Sequence, residues 1–346
     1  MGDSGTDPRT GLSRRELLAY ASVFGPAFLA AQGLLRPGEA AANGQSHAQT
    51  AAQDQQRRTY AMKKSINLWA FPYPDRMSLK DCFELARKAG FDAVEVNYAL
   101  EGDVSPQASE RDLRRIGEMA RDIGLEISGI CSFLYWPYSL TSNDPARRKR
   151  GLELARQMIR AAHAMGTENL LIIAGSVYIP WVPDQTPVPY DVCEQRAQEA
   201  IESLLPLAEE HRVYLNVENI FANGYLLSPD DMIRFVDSFN SPWVRVHFDT
   251  GNIMQFQFPE DWIRKLGPRI KNVHFKEYNK NVQEFNLDAF RLLLDGSTNW
   301  PEVMAALDEI GYRGYLTFEY FHPFQHWPEA LIYQASDALD RMLGRK

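Results

Sequence analysis

The feature that most constrains this chain is an alternation of short apolar runs with amphipathic helical patterns, which begins near residue 64. The strand-like runs cover residues 65–70, 93–98, 126–131, 169–174, 213–218, 244–249, 270–276 and 315–319. The helix-like stretches cover 78–89, 108–123, 144–165, 191–211, 229–239, 259–266, 300–310 and 328–343. Strict alternation of strands and helices predicts a parallel sheet. Because eight such units fill about 280 residues, close to the usual size of about 250, we expect an α/β fold of the (β/α)8 barrel type.

Residues that begin and end helices support this division. Ser78, Asp144 and Ser228 precede helical patterns and are of the types that cap them. Glycines stand where three helices should stop, at Gly90, Gly124 and Gly166. The alternative fold is an open doubly wound sheet, which usually has fewer strands and a glycine-rich phosphate loop after the first strand. Residues 71–74 (FPYP) follow the first strand and offer no such loop, so the barrel is favoured.

The N-terminal segment lies outside the alternation. Arg14 and Arg15 precede an uncharged, mostly apolar run over 17–35, and three alanines at 40–42 match a signal-peptidase site. This pattern is similar to a twin-arginine export signal and predicts a signal over 1–42, passage through the twin-arginine machinery, and a periplasmic or secreted protein. A transmembrane anchor is the alternative, which the internal Gly and Pro disfavour. The polar, Gln- and Ala-rich stretch that follows predicts a disordered spacer over 43–62, before a catalytic barrel domain over 63–346.

Charge and cysteine content narrow the classes of function. The chain has 37 Lys+Arg and 45 Asp+Glu, a formal net charge of −8, which argues against a protein that grips nucleic-acid phosphates. Its three cysteines cannot form a disulfide framework for a chain this long. With 45% hydrophobic and 24% charged residues, the composition is typical of a globular enzyme. We therefore expect an enzyme with no nucleic-acid partner.

Four consecutive strands end on a side chain that can bind a metal ion. In chain order these are Glu218, Asp249, His274 and Glu319. The carboxyl ends of barrel strands meet at one mouth, where active sites lie, and the alternation of strand side chains would turn all four toward the axis. Three carboxylates in one place would repel one another without a cation. A mostly oxygen ligand set favours one divalent metal ion, Mn²⁺ or Mg²⁺, with Co²⁺ or Zn²⁺ as alternatives.

Particular runs give the chain a resemblance to a known family. Residues 217–277 contain VENIF, HFDTGNIMQF and NVHFKE, residues 293–320 contain TNWPEV and EIGYRGYLTFEY, and residues 90–95 read GFDAVE. These runs resemble the sugar isomerase/epimerase superfamily with the xylose isomerase-like TIM barrel. Within it they are most similar to ketose 3-epimerases of the tagatose, psicose and L-xylulose-5-phosphate type. The resemblance extends over about residues 64–340 and is strongest in the C-terminal half.

The resemblance implies a ligand set and a reaction. By position, Glu218, Asp249, His274 and Glu319 match the family's metal ligands, with Mn²⁺ favoured. Such enzymes abstract a proton next to a carbonyl through a metal-stabilised enediolate. By the same resemblance, Glu218 and Glu319 serve as the two acid/base groups on opposite faces of the sugar.

Further residues near the predicted mouth are candidates for substrate contacts. Lys276 lies two residues after His274 and could hold a substrate oxygen, or else form an ion pair with Glu277 or Glu95. Glu95, at the end of the second strand, could support the site or pair with a lysine. Asn252 stands where the wider family often has His, so it can hydrogen-bond substrate but cannot donate a proton as an acid. His247 points inward but deeper, and we interpret it as a core histidine with its hydrogen bonds satisfied.

The loops at the predicted mouth are rich in aromatic residues, and Trp69, Trp136 and Trp181 are the tryptophans among them. They indicate a stacking surface for a sugar or an aryl group. Because these loops carry no cluster of basic residues, we expect an unphosphorylated ketose, keto-sugar or glycoside as the small-molecule partner. An alternative is a 3-keto-glycoside lyase that expels an aglycone with the same metal site. A non-enzymatic alternative is a periplasmic sugar-binding protein, and a homo-oligomer is compatible with either.

Overall fold

A computed structural model describes residues 58–221, 224–280, 287–321 and 323–346. The predicted signal and most of the predicted spacer lie outside the described residues. The barrel unit begins at Thr59. Tyr60 and Met62 are buried, and the Tyr60 N–H donates to the Leu343 carbonyl at 3.0 Å. The end of the predicted spacer therefore belongs to the barrel, because these two large apolar side chains pack into its core.

Eight parallel strands close the predicted barrel. They are β1 (Lys63–Asn67), β2 (Ala93–Asn97), β3 (Glu126–Cys131), β4 (Asn169–Ile172), β5 (Tyr214–Glu218), β6 (Val244–Asp249), β7 (Ile270–Phe275) and β10 (Tyr315–Phe318). Around the barrel the order is β1-β10-β7-β6-β5-β4-β3-β2. Two short strands that the sequence pattern did not predict, β8 (Glu277–Tyr278) and β9 (Phe290–Arg291), pair antiparallel beside β7. Two residues are too few for a strand to show a hydrophobic period.

Eight α-helices alternate with the barrel strands. They are α1 (Leu79–Ala89), α2 (Glu110–Ile123), α3 (Pro145–Met165), α4 (Tyr190–His211), α5 (Pro229–Ser238), α6 (Pro259–Leu266), α7 (Trp300–Glu309) and α8 (Pro328–Met342). Ser78 and Ser228 cap α1 and α5 as predicted, each in a reciprocal capping box with an aspartate. Gly90, Gly124 and Gly166 end α1, α2 and α3 with positive φ angles, as predicted. Among the described residues, no helix is both long and apolar enough to cross a membrane.

The first strand ends earlier than its apolar run predicts. Residues Leu68–Ala70 form a turn of 3₁₀-helix rather than an extension of β1. The Asn67 side chain accepts a hydrogen bond from the Trp69 N–H at 2.8 Å, which caps this turn. The same asparagine lies at the barrel mouth, and its amide group is used again in the site described below.

The two faces of each strand have different chemistry, and this difference positions the site. On β5, Leu215 and Val217 are buried apolar residues of the core, while Asn216 and Glu218 alternate with them and point to the axis. Barrel interiors are ordinarily filled by bulky branched residues. Here polar side chains bond to one another instead, as in the Asn216 amide that donates to the Asn169 side-chain oxygen at 3.1 Å. The period-two pattern therefore places polar groups inside the barrel and the acidic cluster at its mouth.

The contact between α2 and α3 predicts the effect of a substitution at Gly117. A Cβ added there would lie 2.2 Å from the main-chain oxygen of Met165. Although Ala favours helix over Gly by about 1 kcal/mol, we expect Gly117→Ala to lower the free energy of unfolding by about 1–3 kcal/mol, because backbone must move apart. Denaturant titration measures this change. Glu118→Ala, at an exposed position of the same helix, should be nearly neutral, and a gain in stability for Gly117→Ala would contradict this packing.

Candidate metal centre

The four predicted strand-end residues converge on one point. Atoms of Glu218, Asp249, His274 and Glu319 that can bind a metal all lie within 4.8 Å of one another. The four side chains are buried, and Asp249 and His274 are fully so. From His274 Nδ1, the nearest carboxylate oxygens are 3.4 Å away on Glu319, 3.5 Å on Glu218 and 3.8 Å on Asp249. The predicted convergence is therefore present in the structure.

Strand pairing and a side-chain clamp hold the acidic groups in place. Asp249 of β6 pairs in register with His274 of β7. The Asn219 side chain then fixes the end of β6 from both sides, since its amide donates to the Asp249 carbonyl and its oxygen accepts the Asp249 N–H, each at 2.8 Å. One oxygen of the Asp249 side chain accepts the N–H groups of Gly251 and Asn252 at 2.8 Å. The other oxygen of Asp249 is left facing the cluster.

The orientation of His274 is set from behind by Glu95. His274 Nε2–H donates to Glu95 Oε2 at 2.6 Å, and the Asn67 amide donates to the same oxygen at 2.7 Å. With its proton on Nε2, the imidazole turns Nδ1 toward the three carboxylates, and that nitrogen has no hydrogen-bond partner among the described residues. Once it releases its proton, a buried imidazole nitrogen that faces three carboxylates completes the donor set of a divalent-cation site. These residues could therefore hold a metal ion.

The pKa values of the cluster reflect burial and mutual charge. Burial raises the pKa of Glu319 to about 7, although Lys276 and His274 oppose the rise. Burial likewise raises the pKa of Glu218. For His274, burial would lower the pKa, but the charges of Glu95 and Glu319 outweigh it and hold the pKa well above its ordinary value. The protein alone thus balances its buried carboxylates with positive charge, which is the role a bound cation would take over.

Lys276 enters the same cluster. Its Nζ lies 3.1 Å from Asp249 Oδ2 and 3.1 Å from Asn252 Oδ1, and it pairs with Glu319. The alternative ion pairs with Glu277 or Glu95 are not formed. Burial opposes the charge of the lysine, but the neighbouring carboxylates outweigh it and raise the pKa of Lys276. A buried ammonium beside a basic carboxylate is placed to stabilise negative charge on a substrate oxygen.

Glu95 and His247 lie outside the cavity lining, and of the two alternatives for Glu95 the structure agrees with support of the site. Glu95 does not line the cavity and does not pair with a lysine, because its carboxylate is fully buried behind His274. His247 is buried as predicted, with its ring 4.0 Å from that of His274. However, neither of its ring nitrogens has a hydrogen-bond partner among the described residues, so it is not the satisfied core histidine that we expected. Burial lowers the pKa of His247 well below its ordinary value and keeps the ring neutral.

A cavity of about 280 Å³ opens above the cluster. Glu218, Asn252, Lys276 and Glu319 form its polar part. The rest of the lining is apolar or aromatic apart from Ser132 and Cys131, and includes the predicted Trp69, Trp136 and Trp181. Burial holds the pKa of the Cys131 thiol well above its ordinary value, so the thiol is neutral at neutral pH. This sulfur is therefore no nucleophile, and the reactive groups of the cavity are its carboxylates and Lys276.

Comparison with known proteins identifies the family of this barrel. Residues 83–342 match the profile of the xylose isomerase-like TIM barrel. The chain belongs to this family. The chain is similar to an L-ribulose-5-phosphate 3-epimerase, UlaE, of Shigella flexneri serotype 5b (strain 8401), with 23% identity over 259 residues that cover 73% of this chain and 86% of that relative. UlaE of Escherichia coli O1:K1 / APEC is 24% identical over 260 residues, covering 73% of this chain and 86% of that relative.

Solved structures of ketose 3-epimerases share the fold of this xylose isomerase-like barrel. The structure of an L-ribulose 3-epimerase has a TM-score of 0.68 and 21% identity, covering 82% of this chain and 96% of that one. The structure of D-psicose 3-epimerase in the presence of D-fructose has a TM-score of 0.67 and 21% identity, covering 82% of this chain and 100% of that one. The predicted fold and family are confirmed, and these homologues are sugar epimerases.

Sequence reasoning missed three residues that shape the site. Asn67 and Asn219 act by hydrogen bonds to Glu95 and Asp249, and Phe221 adds a ring to the cavity wall. Asn219 directly follows Glu218 at a strand end, which is a signal that could have indicated it. Asn67 and Glu95 lie on neighbouring strands far in sequence from His274, so only the closed barrel brings them together.

The hydrogen bond between His274 and Glu95 predicts that removing the negative charge of Glu95 weakens metal binding. We expect Glu95→Gln to lower the affinity for Mn²⁺ by roughly 10–100-fold, because the amide no longer fixes the ring with a charged acceptor. Titration calorimetry against a competing chelator measures the affinity. Glu126→Gln makes the same change at the opposite end of the barrel, where Glu126 bonds Lys63 and Tyr315, and should leave the affinity unchanged. An unchanged affinity in folded Glu95→Gln would contradict this role.

Proposed function

We propose that the protein is a divalent-metal-dependent sugar epimerase or isomerase that moves a proton next to a carbonyl, on an unphosphorylated ketose or keto-sugar. One observation carries the proposal. Two buried carboxylates, Glu218 and Glu319, reach the polar end of a cavity and each has an oxygen within 3.5 Å of Nδ1 of His274. The similar structures of an L-ribulose 3-epimerase and a D-psicose 3-epimerase support a ketose substrate, whereas the UlaE relatives are named for a phosphorylated ketose.

Glu218, Asp249, His274 and Glu319 would hold the cation. When bound, a divalent cation supplies Lewis-acid polarisation of a substrate carbonyl, for which Mn²⁺ is our first choice. The remaining chemistry belongs to the protein's own side chains. In the protein without a cation, burial raises the pKa values of Glu218 and Glu319. A carboxylate beside the reacting carbon can accept a proton and return it.

The proton transfer needs one carboxylate on each side of the reacting carbon. In the proposal one of Glu218 and Glu319 removes the proton, and the other returns a proton to the opposite face, which inverts the carbon. Lys276 donates hydrogen bonds to the oxygen that becomes negative in the enediolate. Asn252 holds Lys276 at 3.1 Å and donates toward Glu218 at 3.5 Å, so it links the two sides of the site.

The charge of the cavity supports an unphosphorylated substrate. Lys276 is the one Lys or Arg among the described residues that line it, and in the proposal it bonds the reacting oxygen of the sugar. A phosphate would need further cationic or N–H donors, as phosphate sites in proteins have. The described lining of the cavity therefore offers too few cationic or N–H donors to bind the phosphate group of a phosphorylated ketose.

Hydrogen exchange in D₂O tests the proposed reaction. Mature protein with Mn²⁺ should incorporate deuterium at the carbon next to the carbonyl of D-fructose, D-tagatose or a 3-keto-glucoside, with the carbon skeleton intact. Glu218→Gln and Glu319→Gln should each abolish exchange, because each removes one of the two bases, while Glu126→Gln should keep it. Mass spectrometry and NMR measure the incorporation. Full exchange in either site variant would contradict the assignment of the two bases.

The product of the same assay separates the alternatives. Release of an aglycone from a 3-keto-glycoside would support the lyase instead. Binding of these sugars without exchange or product would support the sugar-binding protein. Neither outcome is compatible with the epimerase proposal.

Metal removal gives a further expected outcome. Dialysis against EDTA should stop the exchange, and Mn²⁺ should restore it, since the buried carboxylates alone cannot polarise the carbonyl. Adding Mg²⁺, Co²⁺ and Zn²⁺ in parallel ranks the cations. Undiminished exchange in protein shown to be metal-free by mass spectrometry would contradict metal dependence.

We also propose that the N-terminal segment directs export through the twin-arginine machinery. The double substitution Arg14→Lys with Arg15→Lys keeps the charge but removes the paired guanidinium groups, and should leave the full-length protein in the cytoplasmic fraction. Arg9→Lys, in the same segment, should not affect export. Cell fractionation and immunoblotting measure the distribution. Equal periplasmic amounts of the double variant and the natural protein would contradict the proposal.

A further inference from the structure

The cavity above the acidic cluster divides into a polar arc and an aromatic arc. Around the barrel, the polar arc consists of Glu218 at the end of β5 and of Asn252, Lys276 and Glu319, which follow the ends of β6, β7 and β10. The aromatic lining residues come from the loops after β10, β1, β3, β4 and β5. Proton transfer needs only the polar arc. The proposed reaction does not account for the aromatic arc, so the question is which part of a ligand contacts it.

Two groups of rings form the aromatic arc. The first group is Trp69, Phe133 and Phe321, whose ring centroids are 4.2, 5.2 and 5.5 Å apart. In the second group Trp181 meets Trp136 edge-on at 5.2 Å and lies nearly parallel to Phe221 at 5.9 Å. Aliphatic side chains complete this part of the lining, namely Leu171, Ile173 and Ile220.

The hydroxyl of Ser132 and the thiol of Cys131, which lie within this arc, are already bonded to the protein. Ser132 Oγ donates to the Tyr98 carbonyl at 2.6 Å and accepts the Leu134 N–H at 3.1 Å. Cys131 Sγ accepts hydrogen bonds from the side chains of Asn67 and Asn97 at 3.1 Å. Apart from the indole N–H groups of its three tryptophans, the arc offers no partner to a sugar hydroxyl, and a hydroxyl buried there without a partner is unfavourable. The part of the substrate that contacts the arc should therefore lack hydroxyl groups.

The exposure of two rings in the aromatic arc also favours an apolar ligand. Phe133 is 46% exposed and Trp181 is 50% exposed, although both line the cavity. Large rings left in water at the entrance of a cavity favour an apolar ligand that covers them. This arc is continuous with the polar arc, so the ligand that covers it is part of the molecule whose carbonyl reaches Glu218 and Glu319.

We infer that the aromatic arc binds a planar apolar substituent, such as an aryl group, on the sugar whose reacting carbon lies at the polar arc. The sugar half of this statement rests on the proposed function, whereas the apolar half rests on the arc alone. The substrate class is then an aryl-substituted ketose or keto-glycoside rather than a free ketose. The substituent packs against the rings while the sugar oxygens remain beside Lys276 and the carboxylates.

Matched pairs of ligands test the inference. The probes are 6-O-benzyl-D-fructose against 6-O-methyl-D-fructose, and phenyl against methyl 3-keto-β-D-glucopyranoside, with Kd measured by calorimetry on the mature protein with Mn²⁺. In at least one pair the aryl member should bind about tenfold more tightly or better, as burial of a ring predicts. If in both pairs the two members bind with the same Kd, the inference is overturned.

Substitutions of single rings test whether the aromatic arc causes the tighter binding of the aryl ligands. Trp181→Ala and Phe133→Ala should each bring the ratio of the two Kd values toward one, whereas Trp181→Phe should keep most of the advantage. Phe256→Ala removes a ring that is 84% exposed and outside the cavity lining, and should leave the ratio unchanged. If Trp181→Ala and Phe133→Ala both preserve the natural ratio, the substituent binds elsewhere and the inference is wrong.

Deuterium exchange on the methyl members, run in parallel, separates the two claims. Exchange without any aryl advantage would overturn the inference and leave the epimerase standing. An aryl advantage without exchange would support the aromatic arc as a binding site and count against the epimerase.

Discussion

The structure depends on keeping three carboxylates buried around one imidazole nitrogen. The bond from His274 Nε2 to Glu95 fixes which nitrogen faces Glu218, Asp249 and Glu319. Buried carboxylates in such numbers are unfavourable unless positive charge lies among them. Lys276 supplies part of that charge in the protein alone. Such a cluster needs compensating positive charge, so its side chains are more constrained than those of the surrounding barrel.

The same constraint explains the division of the cavity. The charged cluster lies at the ends of β5, β6, β7 and β10, and of the loops that follow these strands only those after β5 and β10 add rings to the apolar wall, Phe221 and Phe321. The loops after β1, β3 and β4 carry no acidic ligand, and they present Trp69, Trp136 and Trp181 instead. A ligand that satisfies both halves has oxygen atoms at one end and a flat apolar surface at the other. This requirement connects the proposed reaction to the proposed class of substrate.

Much of the fold and the centre of the site could be predicted from the sequence. The alternation of strands and helices and the four acidic or imidazole residues at strand ends are local patterns, and the period of two fixed their inward direction. The roles of Glu95 and Lys276 could not be predicted in this way. Glu95 lies 179 residues from His274, and Lys276 bonds to Asp249 and Glu319 rather than to its neighbour Glu277. Such partners follow from closure of the barrel, which brings distant strands side by side.

The most direct test of the central claim is a crystal structure of Mn²⁺-soaked protein with anomalous data at the manganese edge. The account predicts one anomalous peak bonded to Glu218, Asp249, Glu319 and the Nδ1 of His274, with Nε2 still bonded to Glu95. It further predicts that Lys276 moves away from Glu319, whose oxygen the cation then engages. No peak among these four side chains at saturating Mn²⁺, or a peak that leaves His274 Nδ1 unbonded, would contradict the account.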